Sequence, residues 1–193
     1  GGILVFDLPD LPVKLGTQSR VFRNNIHDNN HINFAPKGNI VAKVPLGTGM
    51  LLLASQQSEI FENNIINNRT SGISVVSYFM SENPIKDSLY DPYPHDAYIH
   101  DNTMTRKRQR ATGRGRIGQM YRFKLKFGKD VPHIMYDGIV DEKNQEKAIC
   151  LYNNHEETFA NIDAGNGFKN KNRGVKPYQC KGKSYEPVKL EWE

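Results

Sequence analysis

The chain lacks any long hydrophobic run. None of its 193 residues belongs to a stretch approaching the ~18–20 consecutive apolar side chains of a membrane-spanning helix, and no signal peptide is recognisable at its start. Cysteine is scarce, with only Cys150 and Cys180. They do not fall in a metal-binding C-x-x-C pattern, which leaves either one disulfide or two free thiols. The favoured reading is a Cys150–Cys180 disulfide, which would tie the Lys-rich tail to the strand around Cys150 and imply an oxidising compartment. Phosphate-loop, dinucleotide and zinc fingerprints are absent, as is the Ser-His-Asp spacing of a hydrolase. The formal net charge of +5 is modest. With 37% hydrophobic residues and a negative mean hydropathy, the composition suits a thin repetitive structure better than a thick globule.

What the chain does have is repetition. Ser19-Arg20-Val21-Phe22-Arg23-Asn24-Asn25 returns as Ser58-Glu59-Ile60-Phe61-Glu62-Asn63-Asn64. It returns again as Ala97-Tyr98-Ile99-His100-Asp101-Asn102-Thr103 and, more weakly, as Ala148-Ile149-Cys150-Leu151-Tyr152-Asn153-Asn154. A second pattern, Gly followed by apolar residues, opens Gly2-Ile3-Leu4-Val5, Gly49-Met50-Leu51-Leu52, Gly72-Ile73-Ser74-Val75 and Gly138-Ile139-Val140. The two patterns alternate, and Gly49 and Gly72 stand 23 residues apart, a length that suits one turn of a parallel β-helix.

The residue types fit stacked parallel strands. Ile, Val, Leu and Phe favour buried parallel sheet. Asn tolerates left-handed geometry at corners, and its amide can pair with an equivalent Asn in the next coil. Strand alternation predicts Phe22, Phe61, Ile99 and Leu151 inward, with Arg23, Glu62, His100 and Tyr152 in one outward column.

The expected organisation is an all-β solenoid over residues 1–164, interrupted by insertions 7–18, 31–48, 78–95 and 105–135, with a capping tail over 165–193. Phase places insertions 7–18 and 78–95 at one corner of the coil, and 31–48 and 105–135 at another. Ile40 to Val44 reads as a brief extra strand, and Met120 to Phe127 as an alternating one with a cationic outer face. Because the first repeat strand stands at the very start, further coils or a partner chain are expected over that end.

Two groups of residues are candidates for function, since loops on a rigid scaffold usually carry it. Asp91, His95, Asp96 and His100 concentrate carboxylates and imidazoles suited to acid–base work on a sugar or to holding Ca2+. No other cofactor and no other metal is expected. The basic segment supplies Arg106, Lys107, Arg108, Arg110, Arg114, Arg116, Lys124 and Lys126 for an acidic polymer. Nucleic acid is disfavoured because no stacking aromatics interleave the basic face of that expected strand.

Val21-Phe22-Arg23-Asn24-Asn25, Asn33-Phe34-Ala35-Pro36-Lys37-Gly38, Tyr98-Ile99-His100-Asp101-Asn102-Thr103 and Phe159-Ala160-Asn161-Ile162-Asp163-Ala164-Gly165 resemble bacterial parallel β-helix repeat-containing proteins of uncharacterised function. The resemblance spans nearly the whole chain. It implies a right-handed, pectate-lyase-like β-helix forming the C-terminal part of a longer exported protein, periplasmic, secreted or lipoprotein-anchored. It also implies a partner resembling a c-type cytochrome, and cysteines placed like Cys150 and Cys180. It transfers no catalytic residue. The expected function is binding of an acidic polysaccharide through the inserted loops, with its modification left open. The alternative is a non-catalytic scaffold that docks an envelope protein.

Overall fold

The computed structural model describes residues 1–111, 119–143, 147–187 and 189. Among them, twelve short strands form three sheets in which every strand pairing is parallel. The first sheet holds β1 (Ile3–Phe6), β4 (Thr48–Leu53), β7 (Ser71–Val76), β10 (Ile134–Tyr136) and β12 (Phe159–Asn161). The second holds β2 (Arg20–Phe22), β5 (Glu59–Phe61), β8 (Ala97–His100) and β11 (Ile149–Tyr152), and the third β3 (Asn25–His27), β6 (Asn64–Ile66) and β9 (Thr103–Thr105). From β1 to β11 consecutive strands visit the three sheets in rotation, and β12 then returns directly to the first, so each strand pairs with its counterpart one circuit away rather than with its neighbour in sequence.

Inward side chains of all three sheets meet in one core. Met50 and Ile73 of the first sheet, Ile60 and Ile99 of the second, and Ile65 and Met104 of the third are almost wholly buried there. Full burial of each such side chain is worth about 1.5–3 kcal/mol. The first sheet is apolar on its outer face as well: Leu51, Leu53 and Val76 pack beneath Val44, Tyr78 and Tyr90 of the insertions. That is why its strands read as unbroken apolar runs, whereas the second sheet's strands alternate. The glycines near the starts of these strands answer to close approach. A Cβ on Gly49 would stand 2.5 Å from the Gly72 carbonyl oxygen and 2.8 Å from the Asn68 amide nitrogen.

Asparagine ladders run along the bend between the second and third sheets. Asn24 Nδ2 donates to Asn63 Oδ1 at 3.0 Å, Asn63 Nδ2 to Asn102 Oδ1 at 3.0 Å, and Asn102 Nδ2 to Asn154 Oδ1 at 2.9 Å. Each acceptor oxygen also takes the preceding ladder residue's backbone N–H, so buried amides and main chain satisfy one another. Asn29 and Asn68 repeat the arrangement at the next bend. The left-handed residue is not the ladder Asn but the one before it: Arg23, Glu62, Asp101 and Asn153, with φ between 46° and 55°.

Several sequence expectations change. The inward column is Val21, Ile60, Ile99 and Leu151, and the outward column is Phe22, Phe61, His100 and Tyr152. Arg23 and Glu62 lie outside the strands, at the bend. Alignment on the large apolar residue pairs Phe22 and Phe61 with Ile99 and Leu151. The register instead follows the ladder Asn, which stands two places after Phe22 and Phe61 but three after Ile99 and Leu151. In the first two copies an aromatic therefore occupies the outer face. Gly138 does not open the fourth strand of the first sheet: it follows β10 with φ 77°, and His133 takes the column position of Gly72. Ile40–Lys43 is a 3₁₀ turn, its first turn capped by Asn39 Oδ1 accepting from Val41 N at 2.9 Å. Met120–Lys124 is a π-helical turn, not a strand. Tyr121 and Leu125 are buried at helical spacing, which leaves Phe123 69% exposed.

The rotation of strands does place insertions 7–18 and 78–95 in connections from the first sheet to the second, and 31–48 and 105–135 in connections from the third back to the first. Tyr90 Oη donates to the Asp7 carbonyl at 2.7 Å, joining the first two.

Candidate functional site

His95 is buried at the end of insertion 78–95, with Nε2 2.9 Å from Asp91 Oδ2. That oxygen also accepts from Gln56 Nε2 at 3.1 Å, and Oδ1 accepts from the Tyr93 backbone N–H at 3.0 Å. Asp91 is thus occupied in fixing its own loop. Asp96 is exposed in a left-handed conformation, its N–H donating to the Lys147 carbonyl at 2.9 Å.

His100 belongs to a separate group on the outer face of the second sheet. Its Nε2 lies 3.1 Å from Glu59 Oε1 and its Nδ1 2.6 Å from Asp101 Oδ2. The ring stacks on Tyr98 at 4.0 Å and on Phe61 at 5.2 Å between centroids. Glu59 is only 1% exposed. Burial pushes its carboxyl upward, but hydrogen bonds from Arg20, Ser184, His100 and the Tyr185 backbone outweigh it and hold the group below its ordinary value. Asp101 is also held low, first by its bond with His100. This network was missed in the sequence. Its signal was present, because Arg20 and Glu59, like Arg23 and Glu62, are opposite charges 39 residues apart, one circuit along the chain. The tail lies over it: Cys150 and Cys180 form a disulfide, Cys180 N donates to the Leu151 carbonyl at 3.2 Å, and Gly182 sits against the Tyr98 ring.

The structure separates the basic candidates into distinct roles. Arg106 is largely buried and donates to the carbonyls of Val131 (2.8 Å), Arg69 (3.0 Å) and Gln109 (3.0 Å). Burial, then the Arg69 charge, lowers its pKa, so this residue clamps backbone rather than facing a ligand. Arg108 makes a bidentate pair with Asp130 at 2.7 and 3.1 Å. Lys107, Arg110, Lys124 and Lys126 are exposed, while Arg114 and Arg116 lie outside the described residues.

The π-helical turn and the segment after it expose cations and an aromatic ring, and two further rings lie against cations nearby. Exposed Phe123 stands between Arg122 and Lys124, with Lys126 and Lys129 following and no acid before Asp130. Lys124 Nζ is 5.6 Å from the centre of the Phe168 ring, and the Arg173 guanidinium 5.5 Å from that of Phe127. Arg173 also donates to the Asp130 carbonyl at 2.9 Å. The strand reading had put Phe123 on the face opposite the cations. The ground for setting nucleic acid aside, an absence of aromatics beside the basic residues, therefore does not hold.

Among the described residues, no group of three or more His, Cys, Asp or Glu side chains is arranged to hold a metal ion, and no helix is long and apolar enough to cross a membrane. Comparison with protein-family models, curated proteins and solved structures finds no match to this chain.

Proposed function

We propose that the protein is a right-handed parallel β-helix that binds an acidic polysaccharide on the surface around Phe123, outside the cytoplasm. The observation that carries this reading is the exposed Phe123 ring in a segment whose neighbours Arg122, Lys124 and Lys126 are exposed as well. An exposed ring offers a face for the apolar side of a sugar, and the ammonium and guanidinium groups pair with carboxylates or sulfates. Three parallel sheets visited in rotation support the β-helix. The Cys150–Cys180 disulfide supports an oxidising compartment, where acidic glycans rather than nucleic acids are the expected polyanions. No catalytic step is assigned, because Asp91, His95 and His100 are each engaged in internal hydrogen bonds.

The test is binding of polyuronates and sulfated glycans, with single-stranded DNA as competitor, at low and moderate salt. Replacing Phe123 with Ala, or Lys124 and Lys126 together with Glu, is expected to weaken glycan binding at least ~10-fold, a loss of about 1.4 kcal/mol. Absence of glycan binding at low salt overturns the reading, and so does stronger binding of the DNA.

A protein-docking role has one observation in its favour. β1, β2 and β3 are all terminal in their sheets, and the insertions of that same first circuit expose Val13, Ile32 and Phe34, the last at 98%. Unpaired edges beside apolar side chains are what a partner chain covers. Recovery of a stoichiometric protein partner from an envelope extract, lost on Phe34→Asp, would favour this second reading.

A further inference from the structure

We propose that the cavity over the outer face of the first sheet binds a single aliphatic chain bearing an anionic head group, with the head held at Lys43. The cavity lies where the two sets of insertions meet. Leu51, Leu53 and Val76 line it from the strands, and Met80, Met120 and Met135 close around it. Its volume is about 70 Å³. At roughly 10–15 Å³ for each water-sized group, that is space for about five to seven such groups.

The lining decides what enters. Among the described residues it is almost entirely apolar, and its Ser74 hydroxyl is already engaged, donating to Ser71 Oγ at 2.8 Å. A water there would find too few partners to replace those it has in bulk, so the site favours hydrocarbon over water. Three unbranched thioether side chains can reshape around a flexible chain at little cost.

Charge at the rim decides the head group. Lys43 is the only charged residue lining the cavity among those described, and it is exposed at the mouth. Its ammonium reaches the Ser81 carbonyl at 2.5 Å and the Asn83 side-chain oxygen, both neutral acceptors. A carboxylate or phosphate arriving there adds an opposite charge to an ammonium whose present acceptors are neutral, and so gains an ion pair. A cationic amphiphile of the same length meets repulsion. This site is separate from the Phe123 surface and does not depend on polysaccharide binding.

The experiment is a titration of the whole protein, labelled with 13C in its methionine methyl groups, with octanoate, octanol and octylammonium. The five methionines divide into two sets: Met80, Met120 and Met135 line the cavity, while Met50 and Met104 lie in the central core. Octanoate is expected to shift the first three resonances saturably and leave the other two in place. Lys43→Met is expected to weaken octanoate about 5-fold and leave octanol unchanged, the effect of losing one rim charge pair. Three results overturn the proposal: no shift of the three cavity methyls up to about 1 mM octanoate, movement of all five together, or equal binding of octanoate and octylammonium. The wild-type titration decides the cavity without any variant.

Discussion

His133 and Asp137 flank β10 and make opposite demands on pH. His133 is 9% exposed, with Nδ1 3.2 Å from Thr158 Oγ1. Burial, reinforced by the Arg106 charge, lowers its pKa from 6.5 to about 4. Asp137 is fully buried, and burial raises its carboxyl from 3.8 to about 6. Hydrogen bonds from the Ser77 N–H and hydroxyl, both 2.7 Å, and from the Ile139 N–H at 3.1 Å limit that rise. Below pH 6.5 the unfolded chain protonates His133 while the native state does not. At ~1.4 kcal/mol per pH unit, the native state loses about 3 kcal/mol by pH 4. Below pH 6 the native state protonates Asp137 while the unfolded chain stays ionised until about 3.8, a gain of up to ~3 kcal/mol. The two contributions therefore nearly cancel between pH 6 and 4. The assay is urea unfolding of wild type, His133→Gln and Asp137→Asn at several pH values from 7 to 4, scored as each variant's difference from wild type so that other titrations drop out. His133→Gln is expected to gain ~3 kcal/mol on wild type as the pH falls, and Asp137→Asn to lose about as much. Differences constant to within ~0.5 kcal/mol across the range would refute the assigned burial of both groups.

Two further outcomes follow from the ladder and the tail. Asn102→Ala removes the acceptor of the Asn63 N–H and the donor to the Ile60 and His100 carbonyls, all buried, and is expected to cost about 3–5 kcal/mol in chemical denaturation. Asn24→Ala, at the half-buried end of the same ladder, is expected to cost no more than ~1 kcal/mol, and a loss equal to that of Asn102→Ala would refute the assigned difference in burial. Reducing Cys150–Cys180, which closes a separation of 30 residues, is expected to remove up to about 4 kcal/mol and to speed tryptic cleavage at Lys181 and Lys183. Unchanged cleavage after verified reduction would mean that the contacts of Gly182 and Tyr185 hold the tail unaided.

The sequence alone determined the repeat, the parallel all-β character and the corners at which the insertions leave. Each of these follows from what recurs: Asn24, Asn63, Asn102 and Asn154 mark the circuits, and the glycines near the starts of β1, β4 and β7 mark the sheet that begins each one. It also favoured a disulfide between Cys150 and Cys180 over two free thiols, and the structure pairs them. The inward column was open to a one-residue error, because alternation has period two and an aromatic in the second position, as at Phe22 and Phe61, reads as core when it faces outward. Only tertiary structure decided which neighbours a side chain meets across circuits or insertions. It buried Arg106 against three carbonyls, closed Glu59 beneath the tail, and wound residues 120–124 into a helical turn that turned Phe123 out among the lysines. Those outcomes depend on contacts between segments 25 to 126 residues apart, such as Arg106 with Val131 and Glu59 with Tyr185, and no local pattern encodes them.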